Sequence, residues 1–225
     1  MLNPELILML PVLLFSLSLH EFAHALVALW AGDDTAARAG RLTLNPISHI
    51  DPVGTVLVPL ICLMGTGFFV GWAKPVPVNP NRFKKLVWDV YVSVAGPASN
   101  FLLAVIAILI YKTIVMTHFL ETTNLSEDIK GIITIVLKYG FIYMNIFLGL
   151  FNLIPIPPLD GSHIFFHFFV RSRTRDNIMF MVFRFLERFG FLILMILLFA
   201  FPRELNPFYL MFGKVMQVID WFLTL

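Results

Sequence analysis

The sequence is short of charge. Asp, Glu, Lys and Arg make up 13% of its 225 residues, against roughly 25% in a soluble domain. A soluble fold so poor in charge cannot cover its own surface. The net charge is only +2, and no basic cluster is interleaved with aromatics, which argues against nucleic acid as a partner. Cys62 is the only cysteine, so an intrachain disulfide and a Cys-based zinc site are both excluded. The first 31 residues lack a basic start and carry His20, Glu21 and His24 inside their apolar run. They do not read as a cleavable signal peptide. No internal repeat is visible, and no polar stretch is long enough for a separate soluble domain. What is abundant is apolar: 59% hydrophobic residues, 24 Phe and a mean hydropathy of +0.86. That composition excludes disorder and points to an integral membrane protein with several spans in a lipid bilayer.

Apolar stretches cover residues 4–31, 53–70, 88–116, 131–156, 176–201 and 205–225. The second is short, and Gly54, Pro59, Gly65, Gly67 and Gly71 favour a broken or re-entrant element. Residues 71–80 alternate prolines with other residues and predict an extended segment. If 53–70 crosses, Lys and Arg of the connections divide seven against five. If it re-enters, Arg38 and Arg41 join Lys74, Arg82, Lys84, Lys85, Arg171, Arg173 and Arg175, against Lys112, Lys130 and Arg203. The second arrangement obeys the positive-inside rule better. The expectation is an all-α polytopic protein of five to six membrane helices. One is re-entrant, a short extended or strand segment lies between the first and third stretches, and the N-terminus is outside. Both arrangements are admissible.

His20-Glu21-Phe22-Ala23-His24 is an HExxH pattern, expected by chance about 0.004 times at this composition. On a helix its two imidazoles lie about 40° apart and about 6 Å along the axis, so both can reach one zinc ion. Glu21 then stands where it can take a proton from bound water. A Glu at mid-membrane costs about 2.5 kcal/mol or more, so three ionisable groups persist there only if something compensates them. A catalytic zinc site needs a third protein ligand. Asn152-x-x-Pro155-x-Pro157-Pro158-x-Asp160-Gly161 ends the fourth stretch. Its prolines stop the helix, Gly161 permits a tight turn, and Asp160 is the natural third ligand beside the HExxH helix.

These two motifs resemble the site-2 protease family of intramembrane zinc metalloproteases. Ala95-Gly96-Pro97-Ala98-Ser99-Asn100 resembles the element that lies between them in that family. The likeness runs from about residue 6 to 165. It implies that His20, His24 and Asp160 bind one catalytic Zn2+ and that Glu21 is the general acid/base. It also implies that Asn152 holds substrate backbone or the developing oxyanion. The zinc would lie toward the cytoplasmic side, with the HExxH helix and the Asp helix running in the same direction. That requires an even number of crossings between residues 31 and 88, which the re-entrant arrangement supplies.

The expectation is one membrane-embedded domain over 1–225, with a catalytic core at about 4–165 and C-terminal helices at about 176–225. It resembles a minimal form without a PDZ or CBS module. The expected activity is zinc-dependent endopeptidase action on transmembrane protein substrates, in a prokaryotic inner membrane. Gly71–Pro80 or Arg41-Leu-Thr-Leu-Asn45 would pair with an unwound substrate as an added strand. Alternatives are a catalytically silent scaffold or chaperone and a metal transporter. Intact Glu21 argues against the first, and ligands gathered at one depth argue against the second. A homo-oligomer is left open. His49 and Asp51 read as interfacial turn residues, His163 and His167 as interface histidines, and Asn100 and Asn145 as interhelical hydrogen-bonding groups.

Overall fold

The computed structural model describes residues 4–60, 71–170 and 178–224. Its long helices are α1 (Pro4–Ala31), α2 (Trp88–Met116), α3 (Glu127–Asn152), α4 (Asp160–Phe169), α5 (Ile178–Phe199) and α6 (Pro207–Thr224). The first two match the apolar stretches residue for residue. The third begins earlier than its apolar stretch because Ser126 caps it, accepting the Ile129 N–H, with Glu127 and Asp128 in the first turn. It ends at Asn152 because the proline run follows.

Three described helices are long and apolar enough to cross a membrane: Leu8–Ala31, Trp88–Met116 and Glu127–Asn152. This is fewer than the five to six expected. The C-terminal pair falls short for identifiable reasons. Helix α5 carries Arg184, Glu187 and Arg188, and α6 has 18 residues that include Lys214 and Asp220.

The three spans pack through small and polar residues, as lipid-embedded helices must, since apolar surface alone gains nothing from leaving lipid. Gly140 of α3 lies against Val12 and Met9 of α1, and Gly149 against Phe101 of α2. Ser16, Asn100 and Asn145, all buried, join the three helices. Asn100 Nδ2 donates to Asn145 Oδ1 at 2.9 Å, and Asn145 Nδ2 donates to Ser16 Oγ at 3.0 Å. Each such bond contributes about 0.6 to 2 kcal/mol in a membrane. Both asparagines are thus interhelical, as their positions within spans suggested. The pairings also give direction. Residues 9 to 16 of α1 meet residues 140 to 145 of α3 in the same order, so α1 and α3 are parallel and α2 runs against them.

The Lys84 N–H donates to Ala31 O at 2.9 Å, so α2 starts at the end where α1 stops. Asp51 caps a helical segment by accepting the Val53 and Gly54 N–H groups. The chain returns to the same place, where the Trp72 N–H donates to Gly54 O and Thr55 Oγ1 donates to Trp72 O. Whether the stretch spans or re-enters in between turns on residues 61–70, which lie outside the described residues.

No strand forms among the described residues, which corrects the expected strand segment. Arg41–Asn45 runs as bends into a 3₁₀ turn at Pro46–His49. Residues 71–79 are non-helical, but their donors go elsewhere than a ladder. Lys74 donates to His49 O, Val76 to a Glu21 carboxylate oxygen and Asn79 to an Asp33 carboxylate oxygen. Pro75 and Pro77 have no N–H to offer.

Candidate metal centre and cavity

His20 and His24 stand one turn apart on α1, with their Nε2 atoms 3.0 Å from each other. The far nitrogen of each ring is already engaged. His24 Nδ1 lies 2.6 Å from Val92 O, which can only accept, so Nδ1 carries the proton. His20 Nδ1 lies 2.6 Å from Asn100 Oδ1. The Asn100 amide is oriented by its donations to Asn145 Oδ1 and Ser16 O, so His20 Nδ1 is the donor here too. Both Nε2 lone pairs therefore point inward. Asp160 Oδ2, at the first turn of α4, completes a triangle at 3.2 Å from His20 and 3.3 Å from His24. This oxygen is buried without a hydrogen-bond partner.

Three acceptors facing one another at such range repel unless a cation lies between them. Four ligands at about 2.0 Å around tetrahedral zinc sit about 3.3 Å apart, so the triangle fits one ion with a fourth position open. Gly96 of α2 closes one side. A Cβ there would fall 2.3 Å from His24 Nε2 and 2.5 Å from His20 Nε2, so only glycine admits the two rings. Gly161 has a similar reason, because a Cβ there would lie 2.2 Å from Leu153 O where α4 starts against the proline turn.

Glu21 is buried, and its Oε2 accepts the Val76 N–H at 2.8 Å. It opens with the triad onto a cavity of about 670 Å³. Trp72, Ala73, Pro75 and Val76 of the non-helical segment form one wall of the cavity, and Phe147, Leu148 and Phe151 of α3 form another. The third wall is α5, which contributes Phe191, Leu194, Met195 and Leu198. Phe191 meets Trp72 edge to face at 5.5 Å, and Leu194 and Leu198 are buried with Leu159, Phe208 and Phe212. The C-terminal residues, which match no motif, thus build part of the site.

The family model for Peptidase family M50 matches residues 8–197. The chain belongs to Peptidase family M50. This is the site-2 protease family, and its members are zinc metalloproteases of membranes. The M50 chain is 45% identical to "Putative zinc metalloprotease YwhC" of Bacillus subtilis, over 68% of this chain and 64% of that protein. It is 34% identical to "Putative zinc metalloprotease Rip2" of Mycolicibacterium smegmatis, over 66% of this chain and 52% of that one. The Rip2 protein of Mycobacterium tuberculosis is 29% identical over the same share of each chain. The matched region thus spans between half and two thirds of these relatives' length. No solved structure matches the chain.

The remaining sequence candidates of this M50 chain fall into place around the triad. Asn152 lines the cavity, with its Nδ2 donating to Leu148 O at 2.9 Å. His163 lines it as well, at the mouth, with Nδ1 3.9 Å from Asp89 Oδ1. His167 lies edge to face with Phe168. His49 is buried, with Nε2 donating to Thr43 O and Arg41 Nη2 3.5 Å from Nδ1. Together with the Asp51 cap, this makes a packed turn. Among the described residues, His20, His24 and Asp160 form the one cluster of metal-type donors. Three partners of the site had gone unseen: Asn100 as the acceptor for His20, the Val92 carbonyl and the Val76 N–H. The Ala95–Asn100 element carried a signal for the first. The other two are backbone atoms and carried none.

Proposed function

We propose that the protein is a zinc-dependent endopeptidase that hydrolyses peptide bonds in or near transmembrane segments of other membrane proteins. The observation that carries this reading is the inward triangle of His20 Nε2, His24 Nε2 and Asp160 Oδ2, its one oxygen without a hydrogen-bond partner, between helices long enough to span a bilayer. These three residues hold one catalytic zinc. When bound, the ion supplies Lewis acidity and lowers the pKa of its water. Glu21 takes the proton of the attacking water and returns it to the leaving amine. With Oε2 engaged by Val76, Oε1 is the atom that receives the proton. Asn152, on the cavity wall, holds substrate backbone or the developing oxyanion.

A peptide must be extended to be cut, because helical carbonyls are already bonded. The apolar wall at residues 72–76 takes the unwound substrate alongside the triad. The residues act as one catalytic domain, with 53–70 re-entrant and five crossings. The meeting of Gly54 with Trp72 and the shared end of α1 and α2 support this topology. The positive-inside rule then puts the site toward the cytoplasm of a prokaryotic inner membrane.

The test is zinc content and cleavage of a single-span substrate, measured for the parent and for His20→Ala, Asp160→Asn and Glu21→Gln. One zinc is expected in the parent and in Glu21→Gln, with much less in the other two, and cleavage by the parent alone. Zinc unaffected by Asp160→Asn, or cleavage by Glu21→Gln, refutes the assignment.

A further inference from the structure

We propose that Asp89 is a subsite for a Lys or Arg side chain in the flank of the substrate's transmembrane segment. This rests on the endopeptidase reading above. The described residues lining the cavity include three carboxylates, Glu21, Asp89 and Asp160. Glu21 is tied to Val76 and Asp160 faces the two histidines. Asp89 alone is uncommitted. Its nearest ion-pair partner is His163 Nδ1 at 3.9 Å, beyond hydrogen-bond reach. Its side chain is 24% exposed and that of His163 is 56% exposed, so the carboxylate is partly buried in the cavity wall yet still reachable.

Of the three cations just before α2 (Arg82, Lys84 and the exposed Lys85), two are occupied. Arg82 Nη1 lies 2.8 Å from Asp34 Oδ1, and Lys84 Nζ donates to Trp30 O at 3.0 Å. A carboxylate set in an apolar wall attracts a cation more strongly than it would in bulk water. Transmembrane segments carry such cations at their cytoplasmic ends.

Position supports the same ligand. Asp89, Ser93, Gly96 and Asn100 follow one another along the face of α2 that meets the site. Gly96 touches the triad, and Asp89 stands at the end of α2 beside the end of α1. Seven helical residues separate Asp89 from Gly96, about 10.5 Å along the axis. An extended peptide covers that distance in about three residues. The favoured cation is therefore about three residues from the cleaved bond, on the side of the mouth.

The experiment measures kcat/KM on single-span substrates with one Lys moved through the flank, each against its Gln counterpart. The enzymes are the parent, Asp89→Asn and Asp89→Lys, all matched for zinc content. The parent is expected to prefer Lys about tenfold at one or two positions near the third, about the strength of one charged hydrogen bond. That preference should fall to about one in Asp89→Asn, and Asp89→Lys should prefer Glu there. If Asp89→Lys does not fold, Asp89→Asn carries the result alone. An equal Lys preference in the parent and Asp89→Asn, or none in the parent, overturns the subsite and leaves the endopeptidase standing. Absence of cleavage by zinc-loaded parent on every substrate overturns both.

Discussion

Replacing Gly96 by Ala places one methyl group against the triad, and its effect can be worked from distances. The new Cβ would lie 2.3 Å from His24 Nε2, 2.5 Å from His20 Nε2 and 2.6 Å from His20 Cε1. Non-bonded carbon contacts are comfortable at about 3.5 Å, so both rings would have to recede by about 1 Å. Neither has room to do so. Each is held at its far nitrogen by a 2.6 Å bond, to Asn100 and to Val92 O. Metal donors tolerate displacements of about 0.2 Å. The zinc dissociation constant should therefore rise by at least about 100-fold, the upper end of what losing a ligand's support costs. Overpacking costs a further ~1–3 kcal/mol of fold stability. The better helix propensity of Ala offsets at most about 1 kcal/mol of that. Zinc affinity is read by chelator competition and stability by thermal unfolding in detergent, with and without zinc. Gly131→Ala is the control, since its Cβ meets nothing within 4 Å. Parent-like zinc affinity in Gly96→Ala would show that the ion is not held at the two Nε2 atoms.

Three further outcomes follow from contacts around the site. Asn100→Ala removes the acceptor of His20 Nδ1 and the donor to Asn145. It should weaken zinc binding about 10- to 100-fold, measurable by the same competition. Val76→Pro deletes the N–H that holds Glu21. It should leave zinc content intact and lower kcat about tenfold or more with a smaller change in KM, as for loss of a hydrogen bond to a charged group. Asp33 lies just past α1, and burial alone would raise its pKa from 3.8. The Asn79 N–H and the Thr35 N–H and hydroxyl outweigh that and hold it below 3.8. Its stabilising effect is therefore present above 3.8 and is lost as pH falls through the lower folded value, because the unfolded chain binds the proton first. The melting-temperature gap between the parent and Asp33→Asn should be constant near neutrality and close in that acid window.

Much of the site was legible because its chemistry is written in side chains at fixed spacing. His20 and His24 share a helical face whatever surrounds them. An Asp directly after a proline-broken membrane helix has few roles. The bounds of α1 and α2 were legible too, since each long apolar run stops at polar residues. The start of α3 was not, because the cap at Ser126 outweighed the polarity of Glu127, Asp128 and Lys130. The proline-rich segment read correctly as non-helical but not as lacking a strand. That depended on where the backbone N–H groups of Trp72, Lys74, Val76 and Asn79 found acceptors, and all four acceptors lie at least 18 residues away in sequence. The role of α5 was hidden for a different reason. Phe191 and Leu194 look like any lipid-facing residues until Trp72 and Leu159 are placed beside them.

The bonds that keep residues 74–84 out of a sheet also have a mechanical consequence. Val76 is fastened to Glu21, Asn79 to Asp33 and Lys84 to Ala31, all on α1 or the turn just after it. The helix bearing the general base and the ledge beside it are thus riveted at three heights. Helix α5, by contrast, reaches that ledge through an aromatic edge at Phe191. If the helices rock to admit a guest, the wall can swing away while the base keeps its distance from the ledge. Reactive alignment is then preserved through the opening stroke rather than rebuilt after it.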